Sequence, residues 1–233
     1  MTNVTAPRPG FWRLLLLLLR KDITVELRTR EVLHTAGLFA LVLMTLFSFA
    51  GFADRELAAT TAPGVLWVAI AFLGALVFTR TFQRERENRA MDGLLLVPGI
   101  LDALYTSKLL TNLLLLLTLQ ALLVPTLLLV FPLPVQPPIL PLVALLLAGT
   151  LGLCALGTVL SAALAAVRMR EVLLPLLLYP LAIPLLIAGV KGSATLFDPL
   201  AHAGHGDWLS LMIAFDALFL VLGRWLFGEA VDA

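Results

Sequence analysis

Cysteine is almost absent, with Cys154 the only one in 233 residues. No disulfide can close within the chain, a thiolate metal cluster would need ligands from another chain, and redox chemistry has no pair to act on. Charge is scarce too, at 13% of residues against 61% hydrophobic, and the mean hydropathy is +1.02. A single water-soluble core cannot hide that much apolar surface, so the sequence specifies an all-α polytopic membrane protein. The formal net charge of +1 gives no basis for a nucleic-acid partner, and none is expected.

Catalytic signatures are missing as well. No GxxxxGK[ST] run occurs. The nearest approach, GVKGSAT at 189–195, has the wrong spacing and falls in an expected outside loop, so the chain does not bind ATP by a P-loop. There is no serine, histidine and acid set, no paired-carboxylate cleft and no zinc spacing. No catalytic residue, no metal ligand and no cofactor bound by this chain is expected.

What the sequence does contain is a series of apolar stretches. Arg8 and Arg13 ahead of Leu14–Leu19 imitate a signal peptide, but the run is short and is followed by Arg20, Lys21 and Asp22, so it is expected to be retained. Over residues 12–33, Trp12, Leu16, Leu19, Ile23 and Leu27 recur on one helical face, with Lys21 and Arg28 on the other. That pattern predicts an amphipathic helix in the plane of the headgroups; the alternative is a ragged start to the first span. Six spans are then expected, at about 35–52, 63–79, 109–131, 141–167, 172–190 and 208–227, all in one transmembrane domain covering 1–233, with a cytoplasmic loop at 80–108. Pro63 is placed at the start of the second. Gly157, Ser161 and Ala165 in the fourth let a neighbouring backbone approach. Pro175, Pro180 and Pro184 must bend or locally unwind the fifth, and a polar stretch, 191–207, leads into the sixth.

Orientation follows from the basic residues. Fourteen of the 16 Lys and Arg fall before the first span, in the second and fourth connections and at the C-terminus, against two in the other connections. The rule that cytoplasmic loops are basic puts both termini, and the loop at 80–108, in the cytoplasm.

Three constellations stand out. The run Arg84–Arg89 mixes both signs and leads into Met91, Leu94, Leu95, Leu96 and Val97. That composition fits a docking element for a protein partner as well as a plain solvated connection. His202 and His205 have a spacing that a helical metal or haem site could use, but Gly204 and Gly206 argue for an irregular loop; His34 is expected at the membrane interface. Asp216 stands inside the sixth span, where a carboxylate costs about 2.5–3.5 kcal/mol on insertion scales. It should face the bundle, as a proton relay, as a contact for polar cargo, or as a hydrogen bond locking two helices.

The segment APGVLWVAIAFLGALVFTRTFQRERENRAMDGLLLVPGILDALYTSKLLTNLLLLL, with LLPLLLYPLAIPLLIAGV at 173–190 and the N-terminal RKDITVELRTRE, resembles CcmB, the membrane subunit of the bacterial haem exporter of cytochrome c maturation. The resemblance covers most of the chain, although the loop at 201–206 does not match it. It implies an ABC-2-type permease fold in the inner membrane, a homodimer, and partners comprising a separate ATPase subunit (CcmA-like), a haem-handling subunit (CcmC-like) and a small subunit (CcmD-like). Haem is implied as cargo. It further implies that Phe82, Glu85, Glu87, Gly93, Leu94, Leu95 and Pro98 belong to a coupling helix meeting the ATPase; Arg84 and Met91, from the charged run and its apolar sequel, are grouped with them. Two rivals remain, an ABC-2-type exporter of a lipid or other hydrophobic compound, and a proton-coupled transporter built around Asp216. The want of internal repeats weighs against the latter.

Overall fold

Leucine-rich runs without β-branched alternation dictate helices, and in the computed structural model helices joined by short turns make up the described residues: 10–49, 55–83, 85, 90–131, 133, 137–197 and 204–232. Seven long helices and one short one follow in order: α1 (Phe11–Thr29), α2 (Glu31–Phe49), α3 (Arg55–Arg80), α4 (Ala90–Leu95), α5 (Ile100–Val130), α6 (Ile139–Ala163), α7 (Arg170–Phe197) and α8 (His205–Asp232). Five of them, α3 and α5 to α8, are long and apolar enough to cross a membrane, and the bent pair α1–α2 supplies a sixth candidate. This is the architecture of a polytopic membrane protein.

The bend has an identifiable cause. Arg30 adopts φ 50, a left-handed conformation that an arginine takes at a cost of about 1–2 kcal/mol, and its N–H closes α1 on the Glu26 carbonyl. The buried Glu26 side chain then accepts hydrogen bonds from the first backbone N–H groups of α2, Val32 at 3.0 Å and Leu33 at 3.2 Å. A carboxylate at a helix N-terminus satisfies orphan donors and meets the positive end of the dipole. The expected interfacial helix over 12–33 therefore stops at Thr29, and its partner departs at 61°.

Other boundaries also moved. α3 begins at Arg55, so Pro63 lies inside the helix rather than at its start. The third span does not wait for Leu109: Ile100–Lys108, expected as loop, forms the first turns of a 31-residue helix, about 46 Å long at 1.5 Å per residue, against a hydrocarbon core of about 30 Å. α6 ends at Ala163, leaving Ala165 in the following turn. Residues 191–197, expected as part of an outside loop, continue α7, with Gly192, Ser193 and Phe197 buried. Of the rest of that stretch, 198–203 lie outside the described residues, as do 50–52 at the end of the expected first span, whereas His205–Asp207, expected as irregular loop because of Gly204 and Gly206, already form the start of α8.

α7 stays helical through all three prolines. Its buried stripe is Leu174, Leu178, Ala182, Leu185 and Ala188, while Pro180 and Pro184 are exposed, so the backbone carbonyls that lose a partner lie on the outward side.

Aromatic rings seated in glycine notches hold the bundle together. Trp67 of α3, fully buried, lies across Gly149 of α6 and Gly189 of α7, and a Cβ at either glycine would fall inside its ring. Its indole N–H donates to Ser193 Oγ at 3.0 Å. Lower down α3, Phe78 fills the notch at Gly157, and the Ser161 hydroxyl donates to the Phe78 carbonyl oxygen at 2.8 Å. Thus Gly157 receives a ring, where the sequence had implied direct backbone contact. Such notches replace the hydrophobic drive that lipid cannot supply between helices.

Polar side chains add cross-links inside the spans. Asn112 of α5 donates to Thr158 Oγ1 of α6 at 3.0 Å and accepts from Thr81 at 3.1 Å. Gln120 donates to Thr150 Oγ1 at 2.6 Å. Bonds of this kind contribute about 0.6–2 kcal/mol each within a membrane.

A candidate coupling site around Glu85

The chain leaves α3 at Arg80 and re-enters the bundle at Ile100, and this crossing is fixed by charge. Glu85 Oε1 accepts from Lys21 Nζ at 2.6 Å and from Lys108 Nζ at 2.7 Å. Asp22 closes the ring, 3.0 Å from Lys108 and 3.1 Å from Lys21. Four alternating charges, neutral in sum, thereby tie α1, the segment after α3 and the start of α5 to one point. The ring is largely dry, with side-chain exposure of 3% at Glu85, 5% at Lys108 and 10% at Asp22, and only Lys21, at 45%, reaches solvent.

The electrostatics follow from that burial. Desolvation alone would raise the Glu85 carboxyl, but the ammonium groups of Lys108 and Lys21 overcome it and hold the group below the ordinary carboxylate value. For Lys21, partial burial works to lower the ammonium, and Asp22 and Glu85 more than offset it, leaving it above the ordinary lysine value. Lys108 also lies 5.5 Å from the centre of the Phe82 ring, within cation–π range.

Beside the ring, a polar cleft of about 380 Å³ opens between α1, α2, α3 and α5. Arg80 and Glu31 pair across its rim, and Thr81 and Asn112 line its depth. A second fastening joins α5 to α8, where Arg224 grips Asp102 with two parallel bonds of 3.0 Å. Beneath it Phe227 stacks on Tyr105 and Phe82, with ring centres 5.3 and 6.0 Å away.

The residues singled out in the sequence distribute unevenly. Phe82 and Glu85 are buried and point into the protein, while Gly93 and Pro98 are exposed and Met91 and Leu94 are half-buried on or beside α4. Leu96 is 84% exposed. Arg84 and Glu87 lie outside the described residues, as does His202; the side chains of Leu95 and His205 do too. His34 is exposed near the start of α2. Asp216 is buried on the face of α8 that meets α6, its Oδ1 against the backbone of Gly152, where that atom has no hydrogen-bond partner. Among the described residues no three His, Cys, Asp or Glu side chains converge on a common metal position. Sequence reading missed Lys21, Asp22 and Lys108 as a unit with Glu85, because partners 64 and 23 residues away leave no local spacing to detect.

Comparison with known proteins agrees with the helical architecture. The chain is 32% identical to heme exporter protein B of Pseudomonas aeruginosa over 199 residues, covering 85% of this chain and 88% of that protein. It is 33% identical to the protein of the same name from Paracoccus denitrificans over 188 residues, 78% and 85% of the two chains, and 30% identical to that of Rhodobacter capsulatus over 174 residues, 75% and 79%. The family model described as CcmB protein matches residues 13–233, from the first turn of α1 to beyond the end of α8, and on that match the chain belongs to the CcmB family.

Proposed function

We propose that this chain is the permease subunit of an ATP-driven complex that exports haem, or frees a haem-loaded chaperone, at the outer face of the bacterial inner membrane for cytochrome c assembly. The observation that carries the reading is its similarity, over 75–85% of its length, to proteins named heme exporter protein B. Without a P-loop of its own the chain takes its energy from a separate ATPase subunit, and it works as a homodimer beside haem-handling and small subunits. Both termini and the segment between α3 and α5 face the cytoplasm, a placement that the distribution of Lys and Arg supports.

The ring around Glu85 supports a specific division of labour within residues 80–108. Exposed groups such as Gly93, Leu96 and Pro98 meet the ATPase; Arg84, Glu87 and Leu95 are assigned to the same segment by sequence alone. Glu85 and Phe82 face inward and transmit. When the ATPase closes on nucleotide, displacement of the segment is delivered through Glu85 to Lys21 on α1 and to Lys108 on α5. From there it reaches α2 through the Glu26 cap and α8 through Asp102 and Arg224. Pro175, Pro180 and Pro184 give α7 the compliance to follow. Haem is written here as cargo, with no ligand assigned to this chain.

The deciding experiment is complementation of a deletion strain. Loss of all c-type cytochromes with b-type cytochromes spared, restored by the intact chain, is the expected result. Normal c-type cytochromes in the deletion strain would refute haem export and leave a lipid or other hydrophobic compound as the cargo class.

A further inference from the structure

Both acidic residues of α1 are turned inward. Asp22 closes the charged ring and the buried Glu26 caps α2, while the next carboxylate along the chain, Glu31, is paired with Arg80. At about 100° per residue, Leu15, Leu18, Asp22, Val25 and Glu26 share the face of α1 that meets the bundle. The opposite stripe is Arg13, Leu16, Arg20, Thr24, Leu27 and Arg28, all exposed, with Leu16 and Leu27 each 62% open. None of its three arginines forms an ion pair among the described residues.

The depth of this stripe is set by α5. Asp22 lies 3.0 Å from Lys108, beside the first turns of a helix that outruns the hydrocarbon core by about 16 Å, and the charged ring marks this as an end that leaves the hydrocarbon. Leucines interleaved with arginines suit that level, because the apolar side chains reach acyl chains while the guanidinium groups extend to the phosphates. A guanidinium holds phosphate through two parallel bonds. With no carboxylate on the stripe, nothing there receives the ammonium of a zwitterionic headgroup, and three unneutralised cations favour a lipid of net negative charge.

We infer that the outward stripe of α1 is a binding surface for anionic phospholipid headgroups, with Arg13, Arg20 and Arg28 as the selecting groups. Along the helix axis Arg13 and Arg20 stand about 10.5 Å apart, and Arg20 and Arg28 about 12 Å, so each engages a separate headgroup. The inference goes beyond the haem-export reading and uses neither the cargo nor the ATPase.

Lipid quenching at the stripe tests this. Thr24→Cys places a thiol between Arg20 and Arg28, and because Cys154 is buried a fluorophore attaches at residue 24 alone. The labelled full chain is reconstituted in phosphatidylcholine vesicles, and quenching by brominated phosphatidylglycerol is compared with quenching by brominated phosphatidylcholine. Each arginine should favour the anionic lipid about fivefold, so a preference of at least tenfold is expected, weakening as salt rises. Arg13→Gln/Arg20→Gln/Arg28→Gln should abolish the preference, and the same three positions changed to lysine should keep most of it. Should the glutamine variant aggregate, Arg20→Gln alone should lower the preference about fivefold. Equal quenching by the two lipids in the intact chain, or a preference that survives the glutamine substitutions, would overturn the lipid surface. Loss of quenching by both lipids once the labelled chain is in its complex would overturn it too, since a protein would then cover the stripe. None of these outcomes alters the deletion-strain result on which the proposed function stands.

Discussion

Replacing Glu85 by glutamine removes the central charge of the ring and leaves everything else in place. Lys108, almost fully buried, and Lys21 would then share Asp22 alone. Breaking a buried ion pair by deleting one partner costs about 3–5 kcal/mol. Here the remaining carboxylate stays within 3.1 Å of both ammonium groups and Lys21 is half in solvent, so about 2–3 kcal/mol is the reasoned loss. That corresponds to a rise of about 30- to 150-fold in the population with α1 detached from α5. Amide hydrogen exchange in detergent reads this directly. Protection should fall by that factor over α1 and the first turns of α5, while the glycine-notched contacts of α3 with α6 and α7 remain unchanged. Adding Lys108→Met to Glu85→Gln removes the stranded cation and should restore most of the protection. An unchanged α1 in the single variant, or a double variant no better than the single, would refute the ring as the fastening of this region.

Glutamine at 85 should also leave the ATPase bound while uncoupling it, seen as retained co-purification with lost c-type cytochrome, whereas a lost complex would place Glu85 at the docking surface. The pH dependence has a definite sign. Because Glu85 is held below its ordinary value near 4.5, its contribution is present above that pH and lost as pH falls through the lower folded value. Lys21, held above 10.5, contributes fully below that value and loses its share as pH rises through the raised one. The Tm difference between the intact chain and Glu85→Gln should therefore be flat from about pH 5 to 10 and shrink below it; a constant difference down to pH 3 would contradict this. Gly149→Leu forces a side chain into the Trp67 ring and should cost 3 kcal/mol or more, above the ~1–3 kcal/mol of ordinary overpacking, seen as loss of monodisperse protein. Asp216→Asn should change stability by less than about 1 kcal/mol, since no hydrogen bond is given up at Oδ1; a Tm drop beyond 5 °C would reveal a partner.

The long apolar spans were legible because they rest on length and apolarity, both of which are local. Trp67 shows where that legibility ended. The sequence marks it only as one more apolar residue of its span, because its seat is made by Gly149 and Gly189 from two other helices. Glu85 was singled out within its segment, but composition assigned that run to the surface; its burial goes with a ring made by Lys21, Asp22 and Lys108, of which Lys21 was read as the polar face of an interfacial helix. Asn112, Gln120, Thr150 and Thr158 did leave a signal, as hydrogen-bonding residues inside leucine-rich runs where an unpaired polar group is costly. Helix ends at Thr29, Ile100 and Phe197 were misplaced because hydropathy marks where lipid begins, whereas the helix continues as long as its backbone bonds are satisfied.

The carboxylate of Glu26 belongs to α1 by chain and to α2 by function, since it completes the first turn of the helix that follows. Displacing α1 would therefore strip α2 of its cap. The end of one helix and the beginning of the next meet in a single joint across the 61° bend at Arg30, so whatever unseats α1 also removes the condition under which α2 begins at Glu31.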